Sequence, residues 1–205
     1  VYKKGTTVLD AAPTDAGTYT IEITLGGATA SVEYTIKKAK TTITTAPTVP
    51  EITYGQSLSE IELSGGVADN NLTGMFNWKT PNAVPAVSDS GVTEYEVIFT
   101  PDDSNYAPVT FTVKVSVERA STDMNSLTEA QKPAAKTGLT YSNEEQALVT
   151  APEELPKGYT GVKYRLEGED EWTDTIPTGK GAGTYTVQIK YIGDENHNDL
   201  VGDNI

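Results

Sequence analysis

Two short stretches of this chain concentrate oxygen-bearing side chains: Asp102-Asp103-Ser104-Asn105 and Asp194-Glu195-Asn196-His197-Asn198-Asp199. A hard cation such as Ca²⁺ gathers about six to eight oxygens, which makes Asp102, Asp103, Asp194, Glu195 and Asp199 candidate metal ligands. Neither stretch has EF-hand spacing, and Asp and Asn in turns commonly bond their own backbone. A solvated turn is therefore the competing reading. The only histidine, His197, has no Ser or Cys nucleophile pattern beside it, and a general base needs a partner within hydrogen-bond reach. With 29 acidic residues, any two carboxylates can be nominated as a glycosidase pair, so that pattern discriminates nothing. The chain is read as non-enzymatic, with no catalytic residue and no cofactor. Trp172, in the acidic turn Glu169-Asp170-Glu171-Trp172, is expected to be exposed. An exposed indole can stack on a sugar ring, so Trp172 is the candidate ligand-binding residue. Trp78, alternating with Phe76 in Met75-Phe76-Asn77-Trp78, is expected in a core.

The elements that must hold these residues are strands. Thr occurs 31 times, and Thr, Val, Ile and Tyr fit half-buried pleated surfaces. Tyr19, Ile21, Ile23 and Leu25 alternate with Thr20, Glu22 and Thr24. Val109, Phe111, Val113, Val115 and Val117 do the same, as do Tyr185, Val187, Ile189 and Tyr191. A period of two puts one face on a core and the other in water. Helical spacing is absent; Ser126–Lys132, stopped by Pro133, has room for one or two turns. The class is all-β, with sheets stacked as sandwiches.

The net charge of −14 excludes a phosphate-backbone binder, because nucleic-acid affinity comes from Lys and Arg. Residues 1–40 carry five Lys against four acids, whereas residues 120–205 carry seven basic and fifteen acidic groups. With no cysteine there is neither a disulfide nor a thiolate metal site. No apolar run approaches the roughly 18 residues that span a bilayer, so membrane insertion is not expected.

The chain repeats itself. Pro13–Ile23 recurs as Pro177–Ile189, with a stretched version at Pro85–Val97. Gly17, Gly91 and Gly183 mark the three copies at separations of 74 and 92 residues, the size of a small β-sandwich. Ile52-Thr53-Tyr54-Gly55-Gln56 opens the middle copy and Leu139-Thr140-Tyr141-Ser142-Asn143 the last.

Asp15-Ala16-Gly17-Thr18-Tyr19 resembles the Asp-x-Gly-x-Tyr signature before strand F of immunoglobulin-like domains. The resemblance implies a tyrosine corner built by Asp15, Gly17 and Tyr19, by Gly91 and Tyr95, and by Gly183 and Tyr185. Tyr95 stands two residues beyond the usual spacing, and Gly181 occupies the Asp position of the last copy. Ile21 and Val187 stand where that family often has cysteine. Phe76-Asn77-Trp78, Tyr95–Pro101, Asn105-Tyr106, Ala182–Val187 and Gly193–Asp199 extend the likeness. Together they resemble the tandem immunoglobulin-like repeats of large Gram-positive cell-surface proteins.

The expected architecture is all-β, as tandem immunoglobulin-like β-sandwiches with one complete module flanked by incomplete ones. Residues 1–38 form a partial module of C-terminal strands, and residues 39–119 form a complete sandwich. Residues 120–135 form a linker or first-strand region, and residues 136–205 a module lacking its last strand. A sandwich edge left bare invites strand complementation by a neighbouring copy. The resemblance implies an extracellular, cell-surface or cell-wall location and a stalk or spacer that supports adhesion to a host or cell-surface ligand. The alternative is a carbohydrate- or protein-binding adhesin module using loop residues around Trp172.

Overall fold

The computed structural model describes residues 1–205, and its only helical elements are five single 3₁₀ turns. The fold is all-β, made of several mostly antiparallel sheets with no closed barrel. The chain divides into two compact units, and each contains strands distant in sequence. The first comprises Val1–Pro50, Ser57–Ala83 and Thr93–Val115; the second comprises Glu51–Gln56, Val84–Val92 and Ser116–Ile205.

In the first unit, β1 (Tyr2–Lys4), β2 (Thr7–Leu9), β3 (Gly17–Leu25) and β4 (Ala28–Ile36) form a sheet in the order β2-β1-β3-β4. Gly26 and Gly27 both take positive φ, +58° and +84°, which lets a two-residue turn join β3 to β4 in the twist that hairpins favour. Tyr19 lies opposite Tyr34 and Ile21 opposite Val32. The alternation of β3 predicts a fully buried face, but only its near end is covered. Tyr19 is 3 % exposed, whereas Ile23 is 66 % and Leu25 83 % exposed. Period two fixes which side chains share a face; burial needs a second layer, and nothing covers that end of the sheet.

The same unit holds β5 (Ile43–Thr45) paired with β7 (Val67–Ala68). It also holds β8 (Gly74–Trp78), β9 (Glu94–Pro101) and β10 (Val109–Lys114) in the order β10-β9-β8. Leu58, Ala68, Trp78, Val97, Phe99 and Val113 are buried. Trp78 takes the expected core position, and its indole N–H donates to the Ile61 carbonyl at 3.1 Å, so a large apolar ring is buried without leaving its polar atom unpaired. Phe76 stacks on Phe99 with centroids 4.7 Å apart.

In the second unit, β6 (Ile52–Thr53) pairs in parallel with β11 (Val117–Glu118). Then β12 (Ala134–Ala135) pairs with β14 (Val149–Thr150), and β13 (Gln146–Ala147) with β16 (Thr178–Gly179). The main sheet is β15 (Tyr159–Leu166), β17 (Val187–Gly193) and β18 (Leu200–Val201) in the order β15-β17-β18. Its core joins Leu127, Val149, Tyr159, Tyr164, Val187, Ile189 and Tyr191. Segment 120–135 contributes Leu127 to that core, two 3₁₀ turns at Met124–Ser126 and Glu129–Gln131, and strand β12.

The edge of β17 away from β15 is not bare. Beyond β18, Gly202 donates to the Ile189 carbonyl, and Val187 and Ile205 exchange backbone hydrogen bonds at 2.8 and 2.9 Å. The far edge of β17 is thus covered by its own chain, which removes the bare edge that strand complementation required. Leu200-Val201 is too short and too polar in its flanks to stand out by alternation, but β17 supplies a ready ladder for it.

Candidate functional site

The acidic stretches are tight loops that follow β9 and β17. In the first, the Asp103 carboxylate accepts the Asn105 amide at 2.9 Å, and the Tyr106 amide bonds the Asp103 carbonyl at 3.1 Å. In the second, the Asp194 carboxylate accepts the Asn196 amide at 2.8 Å and contacts the His197 imidazole Nδ1 at 2.7 Å. The ring hydrogen bond of His197, helped by the Asn196 amide, holds the Asp194 carboxyl below its usual range against a smaller opposing effect of desolvation. Asp199 accepts the Gly193 amide at 3.0 Å and lies 3.4 Å from the Lys190 ammonium.

These carboxylates are turned to the loops' own N–H groups. No three His, Asp or Glu side chains gather into a metal-binding group anywhere in the chain; Asp102 and Glu195 are exposed. What the structure does bring to the loops is Asn105 and Asn196, which the sequence reading counted only as part of an oxygen-rich stretch. The Asn105 side-chain oxygen accepts the Ala16 amide at 2.7 Å, and its Nδ2 donates to Asp15 at 3.2 Å. The Asn196 side-chain oxygen accepts the Val87 amide at 2.8 Å. These contacts span 89 and 109 residues, so no local pattern marks them.

His197 is a packed side chain. Its ring meets Tyr54 edge-on at 5.3 Å and Tyr159 at 5.9 Å, and it fills the space where a Cβ on Gly158 would stand. Trp172 is half-buried rather than exposed. The Arg165 guanidinium lies 4.5 Å from its ring centre and the Lys190 ammonium 5.3 Å, the geometry of cation–π attraction. Two cations on β15 and β17 hold down an indole that local sequence places in a turn.

Two tyrosines bond backbone four residues upstream of themselves. The Tyr19 hydroxyl donates to the Asp15 carbonyl and the Tyr185 hydroxyl to the Gly181 carbonyl, both at 2.9 Å and four residues back. Gly17 packs at the Tyr19 ring, where an added Cβ would stand 3.2 Å from the hydroxyl. Tyr95 sits within β9 opposite Val113, and Gly91, at φ +66°, turns the chain before it. Gly183 and Tyr185 are exposed.

An open cleft of about 930 Å³ in the first unit runs past Ile61, Met75, Phe76, Trp78 and Phe99. Its carboxylates are Glu60 and Glu62. Glu60 accepts the backbone N–H of Ser57 at 3.0 Å and its hydroxyl at 2.8 Å, and these bonds hold its pKa down. A carboxylate so engaged caps a turn and is poorly placed to take a proton from a substrate. No family model matches this chain, and no curated protein matches it.

Proposed function

We propose that the chain is a non-catalytic stalk or spacer segment of tandem immunoglobulin-like modules, carried by a secreted or wall-attached bacterial surface protein. The observation that supports this reading best is the recurrence of one corner at the two ends of the chain. Tyr19 and Tyr185 each follow a Gly-x-Tyr sequence and each bond a carbonyl four residues back at 2.9 Å. Repetition of a whole strand-and-corner unit adds length, which is what a spacer supplies. The sequence likeness to surface-protein repeats supplies the extracellular half of the reading.

The adhesin alternative needs Trp172 as a sugar platform, and a sugar would compete there with Arg165 and Lys190. The test exchanges this segment, in the protein that carries it, for an unrelated β-sandwich spacer of equal length. Adhesion of the cells should be retained. Loss of adhesion, together with glycan binding that disappears in Trp172→Ala, would replace the spacer by the adhesin reading.

A further inference from the structure

The two acidic loops make the same contacts, one in each compact unit. In the first unit, Ala39 donates to the Asn105 carbonyl at 2.8 Å and its own carbonyl accepts from Ala107 at 2.9 Å, a parallel bridge centred on Tyr106. In the second, Ala120 donates to the Asn196 carbonyl and accepts from Asn198, both at 2.9 Å, a parallel bridge centred on His197. Ala39 follows β4 and Ala120 follows β11, so in both places the chain leaving one strand is seized by a loop much further on. In both places the Asn side-chain oxygen also captures a backbone N–H, from Ala16 or from Val87, in the turn that precedes β3 or β9. In both places an Asp two residues before the Asn fixes the loop by accepting the Asn amide.

We infer that Asp-x-Asn-aromatic, at Asp103–Tyr106 and again at Asp194–His197, is a latch that closes each compact unit by tying a late loop to a turn and a strand end far upstream. Its key is the loop, with the Asn as the side chain that reaches across. Its seat is a backbone N–H in the turn before one strand together with an alanine just past the next strand, β4, in the first latch and past the next two, β10 and β11, in the second. The Asn orientation is dictated by its surroundings: at Asn105 the oxygen faces a donor, Ala16 N–H, and the amide nitrogen faces an acceptor, the Asp15 carboxylate. Both seats are bound through backbone atoms, so the seat residues can differ, Ala16 in one and Val87 in the other, without loss of recognition. Side chains then adapt locally. Thr41, 1 % exposed, bonds the Ala107 carbonyl at 2.6 Å in the first latch. Asn198 bonds the Arg119 carbonyl and the Ser121 hydroxyl in the second. This inference rests on the tandem-module half of the reading above and is independent of its cell-surface half.

The test is native-state hydrogen exchange, read amide by amide by NMR on the whole 205-residue chain. In Asn105→Ala the amides of Ala16, Ala39 and Ala107 should exchange about tenfold faster or more, while those of Val87, Ala120 and Asn198 keep their rates. Asn196→Ala should give the mirror pattern. Asn196→Asp keeps the accepting oxygen and should restore most of the protection, as should Asn105→Asp combined with Asp15→Asn, which removes the carboxylate that the Asn105 amide nitrogen faces; these variants also cover the case in which an alanine variant folds poorly. Acceleration confined to Ala16, with Ala39 and Ala107 unchanged, would reduce the loop to a local cap and overturn the latch. So would equal acceleration across both units. Either result leaves the spacer reading standing, whereas loss of adhesion in the exchange experiment leaves the latch standing.

Discussion

Replacing Tyr164 by Phe should stabilise the second unit although it deletes a polar group from the middle of its core. Tyr164 is 1 % exposed, and its hydroxyl is buried without a protein hydrogen-bond partner. Burying a hydroxyl that bonds nothing costs about 1–3 kcal/mol. Deleting the oxygen relieves that cost, less the packing lost where the atom stood, for a net gain of about 1 kcal/mol. Tyr191 is the internal control. It is 0 % exposed, its hydroxyl donates to the Gln131 carbonyl at 2.6 Å, and burial beside Tyr164 pushes its pKa up to about 12. Tyr191→Phe loses the bond and strands the carbonyl, which should cost about 1–2 kcal/mol. One chemical change, two signs. Trp78 belongs to the first unit and Trp172 to the second, so in a Trp78→Phe background Trp172 fluorescence follows urea unfolding of the second unit alone. An unchanged m-value certifies that the same transition is compared. For a unit of roughly 100 residues, each kcal/mol corresponds to about 4–8 °C in Tm. A midpoint for Tyr164→Phe as low as that for Tyr191→Phe would refute the reasoning, because the hydroxyl would then be satisfied in the folded protein.

Gly158→Ala should cost about 2–3 kcal/mol in the same assay, since Gly158 has φ +88° and a Cβ there would enter the His197 ring; a change under about 0.5 kcal/mol would show that the ring yields freely. Acid should weaken the second loop. The Asp194 pKa is lowered in the folded state, so its stabilising effect is present above the unfolded value of about 4 and lost as pH falls through the folded value. Thermal midpoints taken from pH 6 to pH 2 should therefore fall below about pH 4, and fall less in Asp194→Asn; identical profiles would dismiss the effect.

Much of the fold was legible because strands write themselves locally. Val187, Ile189 and Tyr191 share a face by alternation and lie at 1, 2 and 0 % exposure. Pro133 and the lack of helical spacing leave Ser126–Lys132 room for one or two turns, and the chain there makes 3₁₀ turns at Met124–Ser126 and Glu129–Gln131. Legibility ended where a second partner decides the outcome. Ile23 and Leu25 alternate as well as Ile189 does, yet nothing lies over them. Trp172 reads as an exposed turn residue because Arg165 and Lys190 come from two strands brought beside it only by folding. The acidic loops were visible, and so were the bonds their Asp side chains make to their own turns; the long-range partners were not. An Asp or Asn oxygen serves a cation or an N–H equally well, and only the fold shows that the N–H groups of Ala16 and Val87 arrive there.

The parallel pairing of β6 with β11, and the parallel bridges at Ala39 and Ala120, govern how the chain would respond to being pulled. In a parallel pair, tension enters one strand from its upstream end and leaves the other from its downstream end. The two backbones are dragged lengthwise past each other, and their hydrogen bonds share the load and fail together. The β3–β4 hairpin is antiparallel, and tension at its two outer ends peels its bonds one after another. Force would therefore meet its stiffest resistance at these parallel pairings, and its least at the β3–β4 hairpin, which can open and close without breaking them.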